Sequence, residues 1–384
     1  RTARTPALAN LSLTKHFDKS GMVHSRDSWS TGGDVIHSWF YNGPFVEHSS
    51  KGQNHFTIWR GDDPLIIQGG NYLGSPSTYH NHYYSPTISD NSLLFSPAGS
   101  GSPDLDGGQT GRFSNSELSK QIYPVAERVG SWSGQHRYRG EIIQFIDNPQ
   151  YTIASGDATL AYNEDNVDEY IRDFVYLKPD IFLVRDRFDT TNVSTIRSLI
   201  HSRNKPIFEG SPTVIEGSTV AGILELDGED FRLQNGVSEA SIEVLWPGNA
   251  TFRFIGGAGY EGYADGYNSD PITDSQEWLH NHPELEERVK LIEGQWRTEI
   301  QTTPSQADGD LIVAIYVSGM SPSTRPTYFT RPEGSDLVVI VIHNGRTTVV
   351  RFPEGGEPSV GAARRSTIPT RRLLPTGWSA KEEP

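Results

Sequence analysis

Short apolar runs that alternate with polar residues recur along most of this chain, and Gly, Pro, Asn or Asp residues separate them. Runs of roughly four to eight residues with a period of two predict β-strands. Their spacing is typical of antiparallel sheets and predicts an all-β fold, a large antiparallel β-sandwich. The predicted strands cover residues 34–41, 54–60, 64–68, 91–95, 141–146, 150–154, 170–177, 181–188, 195–201, 213–216, 222–226, 241–246, 251–255, 296–301 and 310–317.

Two turn signals refine this plan. Lys178-Pro179-Asp180 lies between two apolar runs and predicts a hairpin with Pro at the turn. Asn344-Gly345 separates residues 337–343 from 346–352 and predicts a two-residue type I′ hairpin. We therefore expect a sandwich over residues 15–318, a small C-terminal β module over 319–353, and tails at 1–14 and 354–384. The one convincing helical spacing runs from Asp274 to Glu293, where Pro283 must interrupt it.

Composition narrows the function. The 384 residues carry 48 acidic against 33 basic side chains, a net charge of −15. This balance argues against nucleic acid or an anionic membrane as the main partner. No apolar run is long enough to predict a membrane span. The absence of Cys excludes disulfides, thiolate zinc sites and cysteine nucleophiles. The aromatic content suits both a sandwich core and sugar-stacking surfaces.

The stretch from Glu47 to Asn91 carries the richest chemistry. It contains Glu47-His48-Ser49-Ser50, then the strand-like run 54–60, then Gln68-Gly69-Gly70-Asn71-Tyr72, and finally a Tyr-rich segment that ends at Asn91-Ser92-Leu93-Leu94. Strands bounded by Gly, Pro and Asn would deliver His, Tyr and Asn side chains to one rim. The two glycines before Tyr72 would allow a sharp turn that places the phenol near that rim.

These motifs resemble the β-sheet half of the heparinase II/III-like polysaccharide lyases. The resemblance extends to Met22–Trp29, Asp106-Gly107-Gly108-Gln109, 156–162, 172–180, 256–260 and 295–300, in the same order along the chain. It implies a supersandwich fold and β-elimination on an acidic, uronate-containing polysaccharide by an exported protein that is extracellular, at the cell surface or periplasmic. It also implies an α/α toroid, and this chain holds no helical pattern of that size.

The resemblance assigns His48 and Tyr72 to catalysis and five residues to substrate binding. The alternative for His48 is a rim histidine bonded to a strand carbonyl. The substrate-binding candidates are Arg26, Trp29, Asn91, His82 and Tyr84.

Structural roles remain open for each of the substrate-binding candidates. Arg26 beside Asp27 would also suit an ion pair, and Trp29 would suit the core. Asn91 would also suit a loop brace. The segment 79–84, which holds His82 and Tyr84, would also suit a loop packed on the sheet.

The sequence departs from this family in two respects. Heparinase II-type members hold zinc at three positions that appear here as Ser50, Gln68 and Asp90. A hydroxyl, an amide and one carboxylate suit zinc poorly, so we expect no metal and no cofactor. The missing toroid leaves two hypotheses. One is the β portion of a lyase that a toroid domain or subunit completes. The other is a non-catalytic extracellular protein that binds glycan or self-assembles through β edges to a homo-oligomer.

Overall fold

The structure is a computed structural model. It describes residues 11–30, 32–45, 50–73, 77–110, 137–138, 140–269, 281, 294–302, 308–320, 322 and 324–362. His48, most of the tail predicted over 1–14 and, apart from residue 281, the predicted helix over 274–293 lie outside the described residues.

Strands dominate the described residues, as the hydrophobic alternation predicts. The first strands are β1 (Thr14–Phe17), β2 (Met22–Arg26), β3 (Ile36–Tyr41), β4 (Pro44–Phe45), β5 (His55–Arg60), β6 (Asp63–Ile66), β7 (Leu93–Pro97), β8 (Arg137–Tyr138), β9 (Glu141–Asp147), β10 (Tyr151–Asp157), β11 (Val167–Leu177), β12 (Ile181–Thr190) and β13 (Val193–Ser202). They are followed by β14 (Thr213–Gly217), β15 (Gly222–Gly228), β16 (Asp230–Asn235), β17 (Ser238–Trp246), β18 (Ala250–Gly256), β19 (Tyr263–Ala264), β20 (Tyr267–Asn268), β21 (Trp296–Thr302), β22 (Asp308–Gly319), β23 (Thr327–Glu333), β24 (Asp336–His343), β25 (Arg346–Phe352) and β26 (Ser359–Ala362).

Helical structure in the described ranges is limited to single turns. They are α1 (Pro103–Asp106), a π-helical turn (His80–Tyr84) and two 3₁₀ turns (Thr87–Ser89 and Thr159–Ala161). Two of these turns precede and follow Pro86, which cannot donate a backbone hydrogen bond and so separates them.

The sheets stack in three layers. A central sheet has the strand order β16-β17-β22-β12-β11-β10-β9. Two sheets pack on one of its faces: an N-terminal sheet of order β1-β2-β3-β5-β6 and a six-stranded sheet of order β14-β15-β18-β21-β13-β7. A C-terminal sheet of order β23-β24-β25-β26 packs on the opposite face. All the strand pairs named here are antiparallel, which confirms the all-β supersandwich predicted from the sequence.

Aromatic rings fill the larger core, between the central sheet and the N-terminal sheet. Phe40 of β3 stacks on Phe174 of β11 with ring centroids 5.5 Å apart, and Phe174 also packs against Phe56 of β5. Phe40 and Phe56 occupy the buried positions of alternating strands. Their outward neighbours on β3 and β5 consequently point away from the core.

The C-terminal module agrees with the turn signal and extends beyond its predicted boundary. Asn344 and Gly345 adopt positive φ values of 48° and 72°, and they join β24 to β25 with His343 paired to Arg346. This is the backbone that a type I′ turn requires. The fourth strand, Ser359–Ala362, lies in the segment predicted to be a tail from residue 354. It pairs with β25, so the module ends later than expected.

Candidate functional site

The three residues that the resemblance places at metal-ligand positions, Ser50, Gln68 and Asp90, meet in the structure. The Ser50 hydroxyl donates to Asp90 Oδ1 at 3.1 Å, and Gln68 Nε2 donates to the Ser50 hydroxyl at 3.0 Å. His55 joins them, with Nδ1 at 3.5 Å from Asp90 Oδ1. We name Ser50, His55, Gln68 and Asp90 the Asp90 cluster.

Short loops bring these four residues together. His55 opens β5, immediately after Asn54, which adopts a positive φ of 62°. Gln68 follows the end of β6, and Asp90 follows the 3₁₀ turn Thr87–Ser89. Gly52 is needed for the close approach of the loops, because a Cβ atom there would lie 2.6 Å from the Asp90 carboxyl.

The pKa values of two residues in the cluster are strongly shifted. Complete burial raises the pKa of Asp90 to about 7, although the Ser50 hydroxyl opposes the shift. Burial lowers the pKa of His55 to about 3, and the charge of Arg172 adds to the effect. The backbone N–H of Asn91 donates to His55 Nδ1 at 2.9 Å, which requires that nitrogen to be unprotonated. His55 is therefore neutral and carries its proton on Nε2, so its contact with Asp90 is not an ion pair.

Two buried atoms of the cluster have no hydrogen-bond partner among the described residues. They are Asp90 Oδ2 and His55 Nε2. Asp90 and His55 are each only 2% exposed. A buried carboxyl with a pKa near neutrality is half protonated at pH 7 and can both donate and accept a proton. Such perturbed groups concentrate at functional sites.

The charge of Asp90 contributes to the pKa shifts of two tyrosines. Burial raises the pKa of Tyr84 to about 12, and Asp90 and Tyr72 contribute further. Burial, with a smaller contribution from Asp90, also raises the pKa of Tyr41, whose hydroxyl donates to the carbonyl of Pro44 at 2.5 Å. Both phenols therefore remain protonated at neutral pH.

Three aromatic side chains pack together beside the cluster, and we name Tyr72, His80 and Tyr84 the aromatic wall. The π-helical turn places His80 and Tyr84 together, with ring centroids 5.7 Å apart. Tyr72 packs edge-on against both, at 5.5 Å from His80 and 5.9 Å from Tyr84. π-helical turns of this kind are frequent at functional sites. The structure thus brings together the predicted site residues Tyr72 and Tyr84.

The glycines before Tyr72 permit close packing, and Gly69 lies at a bend of the chain. Neither has a positive φ. A Cβ at Gly69 would lie 2.4 Å from His201 Cδ2, and one at Gly70 would lie 2.6 Å from the hydroxyl oxygen of Tyr79.

Asn91 is part of the scaffold. It is completely buried, and its Nδ2 donates to the carbonyls of Phe56 and Ile67, each at 2.8 Å. Its Oδ1 accepts from the backbone N–H of His201 at 2.8 Å. The amide therefore has no capacity left for a sugar, which corrects the substrate-binding role in favour of the loop brace.

Arg172 ties the site to the central sheet. Its guanidinium pairs with Asp186 through contacts of 2.6 and 2.8 Å. Its Nη1 donates to the carbonyls of Asn54 at 2.6 Å and Asn91 at 2.5 Å. These residues flank His55 and Asp90 in the sequence, so one buried cation fixes both loops of the Asp90 cluster.

Arg26 and Trp29 lie away from the cluster. In the N-terminal sheet, His55 pairs with Tyr41, and Tyr41 pairs with Met22. Arg26 lies four residues after Met22 on the same strand and pairs with His37. Four residues span roughly 13 Å of strand. Arg26 stacks over the Trp29 ring at 4.3 Å, and its Nε donates to the carbonyl of Ser28 at 2.6 Å.

His82 lies on the outer side of the π-helical turn. Its ring stacks on Tyr267 with centroids 4.5 Å apart, and its Nδ1 lies 3.1 Å from the carbonyl of Thr78. The partner tyrosine belongs to the β19–β20 hairpin, so His82 joins this hairpin to the turn. His48, the principal catalytic candidate, is outside the described residues, although Ser50, two positions later, belongs to the Asp90 cluster.

The donor set does not fit zinc. Among the described residues, no group of three His, Cys, Asp or Glu side chains could hold a metal ion. At the aligned positions the hydroxyl, amide and carboxyl groups bond to one another instead. Zinc prefers imidazole, thiolate and carboxylate ligands.

Sequence reasoning passed over His55. This residue lies between Glu47 and Asn91, as the second residue of the predicted strand 54–60. Its burial depends on loops that come from residues 50–53 and 85–91, which no local pattern connects. The one local signal is Asn54, a residue type that tolerates the positive φ by which the chain enters β5.

No family model and no curated protein matches this chain. Solved structures do. Heparan sulfate lyase HepC from Pedobacter heparinus aligns with a TM-score of 0.58 and 11% identity over 91% of this chain and 44% of that enzyme. A heparinase III aligns with a TM-score of 0.52 and 11% identity over 89% of this chain and 42% of that protein. The chain thus spans less than half the length of either. At this identity the likeness concerns the fold, and the chain has the fold of the β portion of these heparinases.

Proposed function

We propose that this chain is the β portion of a polysaccharide lyase that performs β-elimination on a uronate-containing acidic polysaccharide. The observation that carries the proposal is the Asp90 cluster. Ser50, Gln68 and Asp90, chosen from the sequence as positions of the lyase site, form one hydrogen-bonded chain beside the tyrosines of the aromatic wall. The heparinase-like fold agrees with it.

The reaction needs little beyond proton transfer and charge neutralisation. A base removes the proton from the carbon next to the uronate carboxyl group, and the electron pair left behind forms a carbon–carbon double bond. The bond to the neighbouring sugar oxygen breaks, and that oxygen takes up a proton. Hydrogen-bond donors must neutralise the carboxylate while the base acts.

We assign the proton transfers to His48 and Tyr72. Tyr84 lies beside Tyr72 and would donate a hydrogen bond, because its raised pKa keeps the phenol protonated. Asp90 and His55 are too deeply buried to touch a sugar. They are positioning residues, because Asp90 accepts a hydrogen bond from Ser50 and thereby holds the loop after residue 49 in place. Arg26, Trp29 and His82 remain candidates for contacts with more distant sugars.

The proposal includes two further parts. A toroid domain or subunit would supply the second wall of the cleft, since the family resemblance implies one. Export would bring the protein to its polymer, so we propose a periplasmic, cell-surface or extracellular location. No helix in the part of the chain that the structure describes is long and apolar enough to cross a membrane.

An absorbance assay of the unsaturated product tests the activity. The chain, alone and supplied with a toroid, is incubated with heparin, heparan sulfate, chondroitin sulfate, alginate and ulvan. We expect product from at least one polymer. His48→Ala and Tyr72→Phe should each reduce the rate by two orders of magnitude or more, in the range of general acid–base contributions.

Tyr260→Phe is the matched control, because this tyrosine lies on the loop after β18 and donates to Glu216, outside the site. It should leave the rate unchanged. Circular dichroism confirms that the variants fold. No product from any polymer with a folded, toroid-supplemented protein would overturn the lyase proposal. Retained polysaccharide binding in that case would favour the non-catalytic glycan-binding alternative.

A further inference from the structure

The outward face of the N-terminal sheet is rich in rings and cations. Alternation along β1, β2, β3 and β5 directs one set of side chains into the core and the other set outward. We name six of the outward residues the platform. They are Lys15, His24, Arg26, His37, Trp39 and Trp59.

The rings of the platform form two groups on adjacent rows of the sheet. His37 stacks on Trp59, with centroids 6.0 Å apart and planes at 15°. His24 lies 6.2 Å from Trp39, and Trp39 packs edge-on against His55 at 5.5 Å. The group that contains Trp39 therefore reaches the Asp90 cluster through His55.

The register of β3 and β5 sets the distance between Trp39 and Trp59. Trp39 pairs with Thr57 and His37 pairs with Trp59, so Trp39 and Trp59 are diagonal neighbours on adjacent strands. Such neighbours are roughly 7–8 Å apart. Two rings at this separation can contact different sugars of one chain.

The charge of the platform is opposite to that of the protein. The whole chain carries a net charge of −15, yet no carboxylate occupies the outward strand positions of β1, β2, β3 and β5. Lys15 and Arg26 form no ion pair with any described carboxylate, and Asp18, Asp27, Asp34 and Asp62 lie on the turns at the ends of the sheet. Partial burial lowers the pKa of His24 and His37, so Lys15 and Arg26 supply the positive charge at pH 7.

No described sheet covers this face. The hydrophobic clusters of the described residues include the inward side chains of β2, β3 and β5, such as Val23, Phe40 and Ile58, and none of the platform residues. An apolar partner protein would require an apolar surface. Aromatic rings beside two cations that have no carboxylate partner in the described part of the chain instead suit a saccharide chain, whose C–H faces stack on rings and whose carboxylate or sulfate groups bind Lys and Arg.

We infer that the platform binds an acidic polysaccharide and guides it toward the Asp90 cluster. This inference rests on the proposed function for the class of ligand only. It requires binding by this face and does not require cleavage.

Affinity electrophoresis with heparin and alginate in the gel tests the inference on the full chain. Trp39→Ala and Trp59→Ala should each weaken binding about tenfold, which corresponds to about 1.4 kcal/mol. Trp39→Phe and Trp59→Phe should keep most of the affinity, because a ring remains. Tyr260→Ala, an aromatic truncation at a distant loop, should bind as the wild type does.

The outcomes separate this inference from the lyase proposal. Binding that depends on the two tryptophans supports the platform even if no polymer is cleaved, whereas cleavage without such dependence overturns the platform and leaves the lyase proposal standing. Absence of binding by the wild type also overturns the platform. Sedimentation of a dimer that both Trp→Ala substitutions dissociate would overturn it too, because a second copy would then occupy the face. Thermal unfolding of the four Trp variants verifies that they are folded.

Discussion

Asn91 and His201 are joined twice, through a single oxygen. Asn91 Oδ1 lies 2.8 Å from the backbone nitrogen of His201 and 2.9 Å from its Nδ1. His201 Nε2 lies 2.9 Å from the carbonyl of Ile88. Burial and Arg297 hold the pKa of His201 well below its usual range, so the ring carries one proton and satisfies only one of these two acceptors. The amide of Asn91 thus links β13 to the loop of the Asp90 cluster.

Asn91→Ala should be strongly destabilising. It removes the partners of the Phe56 and Ile67 carbonyls and of the His201 N–H, all inside the protein. Each buried group left unsatisfied costs about 1–3 kcal/mol. We expect the free energy of unfolding to fall by about 3 kcal/mol or more, measured by urea denaturation.

The matched control is Asn204→Ala. Asn204 is exposed and donates to the carbonyl of Gln234 at 2.8 Å. Water can replace that partner, so the change should stay within about 0.5 kcal/mol. Equal effects of the two substitutions would show that Asn91 does not brace the site.

Asp90→Asn should change how stability depends on pH. The pKa of Asp90 is raised from 3.8 to about 7, so between these values the folded state holds a proton that the unfolded state has lost. The contribution of Asp90 to wild-type stability therefore falls as the pH rises through this window, by an amount on the order of 4 kcal/mol. Asparagine does not titrate, so the variant lacks this fall.

The measurement is the difference in free energy of unfolding between Asp90→Asn and wild type from pH 4 to pH 8. The difference should move steadily in favour of the variant as the pH rises. His55, Tyr41 and Tyr84 face Asp90, and none of them titrates in the folded state in this range, because the pKa of His55 is about 3 and those of the tyrosines are raised. The titration of His55 in the unfolded state is common to both proteins, so it cancels from the difference. A difference that does not vary with pH would show that Asp90 is ionised throughout.

Arg172→Met should lower the free energy of unfolding by more than a comparable substitution at the surface does. Asp186 would keep its charge inside the protein with only the Tyr170 hydroxyl, at 3.1 Å, as a described partner besides the lost arginine. Removing one partner of a buried pair costs about 3–5 kcal/mol. Urea denaturation gives the value.

Arg351→Met provides the comparison. Arg351 donates to Glu333 at 2.7 Å on the C-terminal sheet, and its side chain is 37% exposed. Exposed pairs contribute about 0–1 kcal/mol. A loss below about 1 kcal/mol at Arg172 would contradict the role of this cation in holding the two loops.

The strands could be predicted from the sequence because their alternation is local. Residues 346–352 were predicted as a strand, and β25 has the same bounds. Asp230–Asn235 and Thr327–Glu333 were not predicted as strands. The first alternates but contains only two apolar residues, and the second has two adjacent aromatic residues that break the alternation. The type I′ hairpin was predicted correctly because Asn344 and Gly345 specify their own backbone.

The site was harder to predict, since it depends on register and on contacts far apart in sequence. Tyr72 and Tyr84 do contact each other, but the contact depends on a π-helical turn that the spacing of residues in the sequence does not predict. Arg26 and His55 belong to one sheet but to different rows of it, and only the pairing of β2, β3 and β5 reveals this. Asn91 was recognised by its motif, while its complete burial follows from the packing of three loops.

Gly52→Ala should disturb the Asp90 cluster specifically. The added methyl group would lie 2.6 Å from Asp90 Cγ and from Oδ1, inside any normal contact distance, so the carboxyl must move away from Ser50. Overpacking of this kind costs about 1–3 kcal/mol. If the lyase proposal holds, loss of the Ser50 contact should also lower the elimination rate.

Gly361→Ala on β26 is the control, because nothing lies within 4 Å of its new Cβ. Thermal unfolding and the product assay should show a loss for Gly52→Ala alone. An unchanged melting temperature at position 52 would mean that the loop and Asp90 are not packed together as described.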